Sequence, residues 1–231
     1  MAGSMTEVPV NGGVVPAYVS LPPTGSGPGV VVIQEWWGLV PHIRNVADRL
    51  AAQGFVAMAP DLYRGQETSE PDEAGKLLME LRLDQAAKDM AATVDALLAM
   101  PETTGEAVGV IGFCAGGGLA LYLASIKPQV AAAVCYYGFP RQGLQWDLSQ
   151  VKAAVLGHFA EHDDWASREL ADTMERELRD AGVDVTFHHD YQGTTHAFFN
   201  DDRPEVYDAE AADRSWRRTL EFLHRHLGQT S

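Results

Sequence analysis

Hydrophobic residues follow two patterns that alternate along the chain. Continuous apolar runs, typical of strands buried on both faces, lie at 30–34, 55–60, 107–112, 130–138 and 153–160, and a further strand is predicted at 183–191. Between and after them, apolar residues recur every three or four positions and predict helices over 41–53, 72–100 with one or two breaks, 115–125, 167–181 and 204–227. This alternation predicts an α/β fold: a mostly parallel central sheet of about eight strands with helices on both faces.

The segments before the first buried run predict peripheral structure. Residues 12–21 favour short edge or hairpin strands, and the Pro-, Gly- and Ser-rich residues 22–29 favour a loop. We find no repeat, low-complexity tract or interdomain linker, so we expect a single domain over 1–231. Residues 1–4 are treated as an expression remnant ahead of Met5 and left out of the fold prediction.

Composition and charge restrict the partners of the protein. The chain of 231 residues is 46% hydrophobic and 21% charged, which is ordinary for a globular protein. Its formal net charge of −15 repels polyanions, so neither nucleic acid nor a membrane surface is expected as a partner. No segment has the pattern of a secretory signal or a membrane span. We therefore expect a cytoplasmic protein, a monomer or weak homodimer, whose two cysteines are free thiols.

A glycine-rich segment with a cysteine joins a predicted strand to a predicted helix. Gly112, Cys114 and Gly116 fit the pattern G-x-C-x-G, in which a nucleophile occupies a tight strand-to-helix turn. Small flanking residues let neighbouring backbone approach, and the positive end of the helix dipole favours a thiolate. The N–H of Ala115 points to where a substrate oxyanion forms. The pattern therefore predicts that Cys114 is a nucleophile.

Two other interpretations of this segment stay open. Glycine-rich loops bind phosphate in some proteins, but this segment lacks the G-x-G-x-x-G spacing and has no following Lys-Ser/Thr pair. The glycines also fit a turn that serves only packing.

Candidates for the base and its orienting acid follow two later strands. His196 comes after the predicted strand at 183–191, and Asp163 and Asp164 come after the strand at 153–160. The chain order of nucleophile, acid and histidine is that of α/β-hydrolases. Sites in parallel α/β sheets form beyond the carboxyl ends of the strands, where all these residues lie.

The chain resembles the dienelactone hydrolase family of α/β-hydrolases. The resemblance is carried by the segments VIQEWWGL, APDLYRG, GVIGFCAGG, CYYG, GHFAEHDD and GTTHAF, which follow one another over residues 31–198. Its most specific features are a cysteine in the strand-to-helix turn, where most α/β-hydrolases have serine, and QEWWG after the early strand.

The resemblance implies roles for individual residues. It implies Cys114 as nucleophile, His196 as base and Asp163, rather than its neighbour, as the orienting acid. It also implies that Glu35 interacts with the resting thiol, and that the N–H of Trp36 is the second oxyanion donor. A loop or helix-capping carboxylate is the other interpretation of Glu35.

The chain departs from the family at the positions that hold a substrate carboxylate. Family members that hydrolyse dienelactone use two arginines, and Pro71 and Asn200 stand at the corresponding positions here. Arg203 and Arg64 are the candidates to replace them. We therefore expect a neutral or larger ester or lactone rather than an anionic dienelactone.

Several aromatic residues are candidates for the substrate pocket. The candidates are Trp37, Tyr63, Tyr137, Phe198 and Phe199, for each of which core packing is the other interpretation.

These observations predict a cysteine-dependent hydrolase of a carboxylic ester or lactone that acts through an acyl-thioester. An acyltransferase with the same Cys-His-Asp site, or a non-catalytic ligand-binding member of the fold, are the alternatives. Cys135 is predicted to be a small buried residue of a strand. The histidines lack metal-ligand spacing, so we expect neither a metal nor a cofactor.

Overall fold

The structure is a computed structural model that describes residues 2–140 and 146–228. Its strands are β1 (Ser4–Val10), β2 (Gly13–Ser20), β3 (Gly27–Ile33), β4 (Val56–Pro60), β5 (Thr103–Phe113), β6 (Val130–Tyr136), β7 (Ala154–His162) and β8 (Val185–Thr195). Its helices are α1 (Pro41–Ala52), α2 (Pro71–Glu80), α3 (Leu83–Ala99), α4 (Ala115–Ile126), α5 (Arg168–Asp180) and α6 (Ala209–Leu227).

The strands form one eight-stranded sheet in the order β1-β2-β4-β3-β5-β6-β7-β8. β1 pairs with β2, and β2 with β4, in antiparallel fashion, whereas all the other neighbours are parallel. Helices cover both faces: Leu223 of α6 packs over Gly109, and Leu97 of α3 packs over Gly29 on the opposite face. The predicted fold class is therefore confirmed.

The central strands are buried, as their continuous apolar sequences predict. Every residue of β3 and β4 is buried, as expected for central parallel strands covered by helices on both faces. β2 instead begins with two exposed residues and then mixes buried with partly buried positions, because it lies near the edge of the sheet.

Element boundaries differ from the sequence prediction at several places. β3 begins at Gly27, inside the predicted loop 22–29, and β8 runs on to Thr195 instead of ending at 191. Ser4 belongs to β1, and the N–H of Gly3 donates to Asp48, so residues left out of the fold prediction are part of the sheet edge. The helical segment over 72–100 has one break, as expected, where extended backbone at 81–82 separates α2 from α3. The last helix begins at Ala209 because the Asp208 side chain caps it, rather than at 204.

Within the described residues, no helix combines the length and the apolar character that crossing a membrane requires.

Candidate active site

Cys114 occupies the turn between β5 and α4 in a left-handed conformation, with φ 54° and ψ −119°. A non-glycine residue is uncommon in this region of φ, and such strain concentrates at functional sites. The flanking glycines are required by close packing. A methyl group on Gly112 would lie 2.0 Å from the carbonyl oxygen of Gly116, and one on Gly116 would lie 2.2 Å from the carbonyl oxygen of Gln34.

Backbone hydrogen bonds fix this turn against the next strand. The N–H of Cys114 donates to the carbonyl of Tyr136 over 3.0 Å, and the N–H of Gly117 donates to the carbonyl of Cys114 over 3.0 Å. The Cys114 side chain is half-buried and lies at the N-terminus of α4. The helix dipole at this end favours negative charge on the sulfur.

Asp163 and His196 meet across the carboxyl ends of β7 and β8. Asp163 Oδ2 lies 2.7 Å from His196 Nδ1. Its other oxygen accepts the N–H groups of Trp165 and Ala166, each over 2.8 Å. The neighbouring Asp164 is exposed to solvent. The structure therefore places Asp163, and not its neighbour, against the histidine.

Charged partners determine the protonation of this pair. Burial lowers the pKa of His196, but its hydrogen bonds to Asp163 and Cys114 and their charges outweigh burial and raise that pKa to about 10. Burial raises the pKa of Asp163, but the hydrogen bond and charge of His196 and two backbone N–H groups outweigh it and lower that pKa below its ordinary value. His196 and Asp163 are therefore a hydrogen-bonded pair, and the Cys114 sulfur is near enough to His196 to contribute to the raised pKa of that imidazole.

Glu35 lies directly after β3 and is 2% exposed. Its carboxylate accepts the side-chain amide of Asn200 at Oε2 over 2.7 Å and the hydroxyl of Tyr137 at Oε1 over 3.4 Å. The role of Glu35 toward the resting thiol stays a prediction.

The two predicted oxyanion donors lie on neighbouring segments. Ala115 is the first residue of α4, so its N–H has no acceptor within the helix ladder. Trp36 follows Glu35 at the end of β3, and the register that pairs Ile33 with Gly112 brings these strand ends side by side.

A cavity of about 710 Å³ has Asn200, the hydrogen-bond partner of Glu35, in its wall, but neither Glu35 nor Cys114 nor His196 lines it. Trp37 also lines this cavity, and the guanidinium of Arg203 lies 5.4 Å from the centre of its indole ring. The charged side chains of the lining are Glu67, Asp202, Arg203 and Glu205. Three carboxylates and one guanidinium make this cavity acidic.

The other predicted pocket residues lie elsewhere. Tyr63 lines a separate cavity of about 260 Å³. Tyr137, Phe198 and Phe199 are at most 1% exposed and line neither cavity. They pack in an aromatic cluster in which Phe199 stacks on Phe113 with ring centroids 5.4 Å apart.

Pro71 and Asn200 occupy the family's two arginine positions, and the two arginines proposed to replace them each have a carboxylate partner. Pro71 starts α2, and Asn200 binds Glu35. Arg64 is paired with both oxygens of the buried carboxylate of Asp89. Arg203 is paired with Glu205 over 2.7 Å. Both candidate replacements are therefore already neutralised by a carboxylate.

Sequence reasoning missed the roles of Tyr137 and Asn200 as donors to Glu35. The sequence predicts Tyr137 as a pocket residue, and it marks Asn200 only as the position where the family has an arginine. Tyr137 has a φ of 39°, a strained conformation that its sequence neighbours do not reveal. The position of Asn200, four residues after His196 at a strand end, was the only available signal.

Asp172, Glu175 and His189 lie close enough together to hold a metal ion. However, each acid already has an arginine partner: Arg168 binds Asp172, and Arg179 binds Glu175. The expectation of no metal stays a prediction.

Comparisons with known proteins agree with this architecture. The model of the dienelactone hydrolase family matches residues 15–227. Protein usf of Aquifex pyrophilus is 38% identical over 97% of this chain and 99% of its own length. A protein of Aquifex aeolicus (strain VF5), provisionally named carboxymethylenebutenolidase, is 36% identical over the same shares.

A solved structure of similar shape is that of a dienelactone hydrolase-like promiscuous phosphotriesterase from metagenomic libraries. It is 27% identical to this chain, covers 99% of it and 100% of its own chain, and has a TM-score of 0.86. The family match spans strands β3 to β8, the cysteine turn and the strand ends that hold Asp163 and His196. This chain therefore belongs to the dienelactone hydrolase family.

Proposed function

We propose that this protein hydrolyses a carboxylic ester or lactone through an acyl-thioester on Cys114. The observation that carries the proposal is the hydrogen bond between Asp163 and His196 beside the turn in which Cys114 has a positive φ, with the sulfur near enough to raise the pKa of His196. A nucleophile, a base and an acid that orients the base are the three groups that acyl transfer by this route requires.

Each group has a defined step in the reaction. His196 takes the proton of Cys114, and the sulfur attacks the carbonyl carbon. The N–H groups of Ala115 and Trp36 stabilise the oxyanion, and loss of one such donor typically lowers the rate by about 100- to 1,000-fold. His196 then donates its proton to the leaving oxygen. A water molecule activated by His196 hydrolyses the thioester and regenerates the thiol.

The charge around the site favours substrates without a carboxylate. Arg64 and Arg203 are each neutralised by a carboxylate, and the cavity beside Asn200 is acidic. A neutral ester or lactone enters this region without the repulsion that an anion meets. We expect a higher kcat/KM for phenyl acetate or a neutral γ-lactone than for a matched ester or lactone with a free carboxylate.

The test compares the wild-type protein with Cys114→Ala on p-nitrophenyl acetate and on this panel. The proposal requires activity in the wild type and its loss in the variant. Retained activity in Cys114→Ala contradicts the role of the cysteine, and absence of turnover on every ester and lactone favours a ligand-binding member of the fold. Preferred formation of a methyl ester when methanol is added favours an acyltransferase.

A second candidate activity is hydrolysis of neutral phosphotriesters. It is favoured by the similarity to the promiscuous phosphotriesterase and by the lack of net charge on such substrates, which suits the acidic cavity. In this reaction the sulfur of Cys114 bonds to phosphorus, the aryloxide leaves, and water then cleaves the phosphorus–sulfur bond. Release of p-nitrophenol from diethyl p-nitrophenyl phosphate by the wild type, but not by Cys114→Ala, is the expected result.

A further inference from the structure

His189 of β8 has a buried imidazole without a hydrogen bond. The side chain is 11% exposed, and neither ring nitrogen has a hydrogen-bond partner among the described residues. The ring of Phe159 stacks on it with centroids 5.4 Å apart, which fixes the plane of the imidazole. Buried polar groups nearly always have a partner, because an unsatisfied one destabilises the fold. The imidazole of His189 therefore lacks a partner that its burial calls for.

Two carboxylates of α5 lie against this imidazole. One ligand atom from each of Asp172, Glu175 and His189 lies within 4.8 Å of the other two. The two acids are neighbours on the helix surface because they are three positions apart. His189 Nε2 is 3.5 Å from Asp172 Oδ1, which is long for a hydrogen bond. Two ligand atoms of a tetrahedral zinc ion, each about 2.0–2.2 Å from the metal, lie about 3.3–3.6 Å apart, so this separation suits a shared ion.

The donor set matches a divalent transition-metal ion. Zn²⁺ is bound by imidazole nitrogen and carboxylate oxygen, and three protein ligands with one water are a common arrangement. Burial lowers the pKa of His189, so the imidazole is neutral at pH 7 and offers a lone pair to a metal. Two carboxylates balance the charge of the ion. Asp172 is exposed, which leaves the solvent side open for the water.

Two arginines of α5 compete for the carboxylates but do not satisfy the imidazole. Arg168 donates to both oxygens of Asp172 over 2.8 and 3.0 Å, and Arg179 donates to Oε1 of Glu175 over 2.8 Å. Both arginine side chains are exposed, and exposed ion pairs of this kind contribute little to stability. A divalent ion bound by three ligands therefore displaces them at small cost, and it also supplies the partner that His189 lacks.

We propose that Asp172, Glu175 and His189 form a binding site for a divalent transition-metal ion such as Zn²⁺. The expectation of no metal rests on the spacing of histidines along the chain, whereas this site combines one histidine of β8 with two acids of α5. A bound ion ties α5 to β8, which is an edge strand of the sheet. The site uses none of the catalytic residues named above, so the proposal does not depend on the proposed function.

The test titrates the full-length protein with ZnCl₂ after dialysis against EDTA, by calorimetry and by thermal unfolding. We expect zinc to raise the Tm in proportion to its binding, since a ligand that binds the folded state stabilises it. MgCl₂ should have little effect, because Mg²⁺ prefers an octahedral set of oxygen ligands. His189→Gln, Asp172→Asn and Glu175→Gln should each weaken zinc binding by at least about tenfold, since loss of even an outer-shell partner typically costs about 10- to 100-fold.

Three controls separate this site from other zinc ligands of the chain. Cys114→Ala should keep the site, although it removes a thiol that also binds zinc. His188→Gln removes the adjacent imidazole, which points to the other side of β8 and stacks on His158, and should leave the affinity unchanged. Thermal unfolding of every variant without metal confirms that the fold is kept.

A further pair of variants tests the competition by arginine. Arg168→Ala frees Asp172 and should raise the zinc affinity by at least about twofold, the factor that an exposed ion pair one helical turn apart contributes. Arg176→Ala makes the same change of charge on α5, but Arg176 is bonded to Thr173 and not to a ligand carboxylate, so it should raise the affinity less.

The outcomes that overturn the proposal are independent of ester hydrolysis. Absence of zinc binding in the wild type overturns it, and so does equal binding by the wild type and His189→Gln. Binding that persists in His189→Gln and disappears in Cys114→Ala assigns the ion to the cysteine instead. Esterase activity that survives or fails in Cys114→Ala changes none of these conclusions.

Discussion

The contact between Asp163 and His196 allows a sharp prediction for Asp163→Asn. In the native site, Oδ2 accepts the Nδ1 proton of His196 while Oδ1 accepts the N–H groups of Trp165 and Ala166. Asparagine has only one side-chain oxygen. If that oxygen stays on the two backbone donors, the amide NH₂ faces Nδ1 and the imidazole must carry its proton on Nε2.

This arrangement removes the base from the reaction. An imidazole protonated on Nε2 cannot accept the thiol proton of Cys114 there. Turning the amide over instead leaves the two backbone donors facing an NH₂ group, at a cost of about 1–3 kcal/mol for each unsatisfied group. The first arrangement is therefore favoured. We expect kcat/KM to fall by about 10³- to 10⁴-fold, the scale found when the same change is made in a Ser-His-Asp triad, or about 4–5.5 kcal/mol.

The assay is initial-rate hydrolysis of p-nitrophenyl acetate, with thermal unfolding recorded for each variant to exclude loss of the fold. Asp164→Asn is the matched control, because it makes the same chemical change at the exposed neighbour. It should retain activity within about twofold. An Asp163→Asn variant with more than a tenth of wild-type activity, or a greater loss in Asp164→Asn, would refute this assignment.

Three further predictions concern stability and thiol chemistry. Gly118→Ala places a methyl group 1.8 Å from a backbone oxygen, so it should lower the free energy of unfolding by about 1–3 kcal/mol or more. Gly75→Ala is the control, because it lies at an open position of α2 and should raise the free energy of unfolding by about 0.5–1 kcal/mol, as measured by urea denaturation. Burial holds the pKa of His158 well below its ordinary value. Below about pH 6.5 the unfolded chain therefore binds a proton at this position that the folded chain does not bind, and the free energy of unfolding should fall as the pH drops. In His158→Gln, the free energy of unfolding should fall less steeply as the pH drops. An unchanged slope would mean that other histidines cause the pH dependence. Burial raises the pKa of Cys135 to about 12, so iodoacetamide at pH 8 should label one thiol per native chain, that of Cys114, and two after denaturation, as counted by mass spectrometry.

The sequence was sufficient to predict the fold class and the placement of the candidate residues at strand ends. Strand and helix periods follow from local backbone geometry, so runs such as 30–34 and 130–138 predict buried strands without knowledge of their neighbours. The G-x-C-x-G pattern predicts the turn at Cys114 because a tight strand-to-helix turn brings Gly112 against the backbone of Gly116, which leaves no room for a side chain.

Boundaries and pocket residues were predicted less well. The sequence could not distinguish an aromatic core from an aromatic pocket, because Phe198 and Phe199 have the composition expected of both. Only packing against Phe113 and Tyr191 places their rings inside the molecule. The helix predicted from 204 begins at Ala209 because a single capping side chain outweighs the apolar pattern.

By itself, the sequence determined the order of strands and helices, the cysteine turn and the chain order of the candidate catalytic residues, since each depends on residues close together along the chain. The tertiary structure decided which groups pair. Asn200 binds Glu35 across 165 positions, and Arg64 is neutralised by Asp89 rather than left free for a substrate. Such pairings depend on how helices and strand ends pack in three dimensions, and neither periodicity nor spacing records that packing.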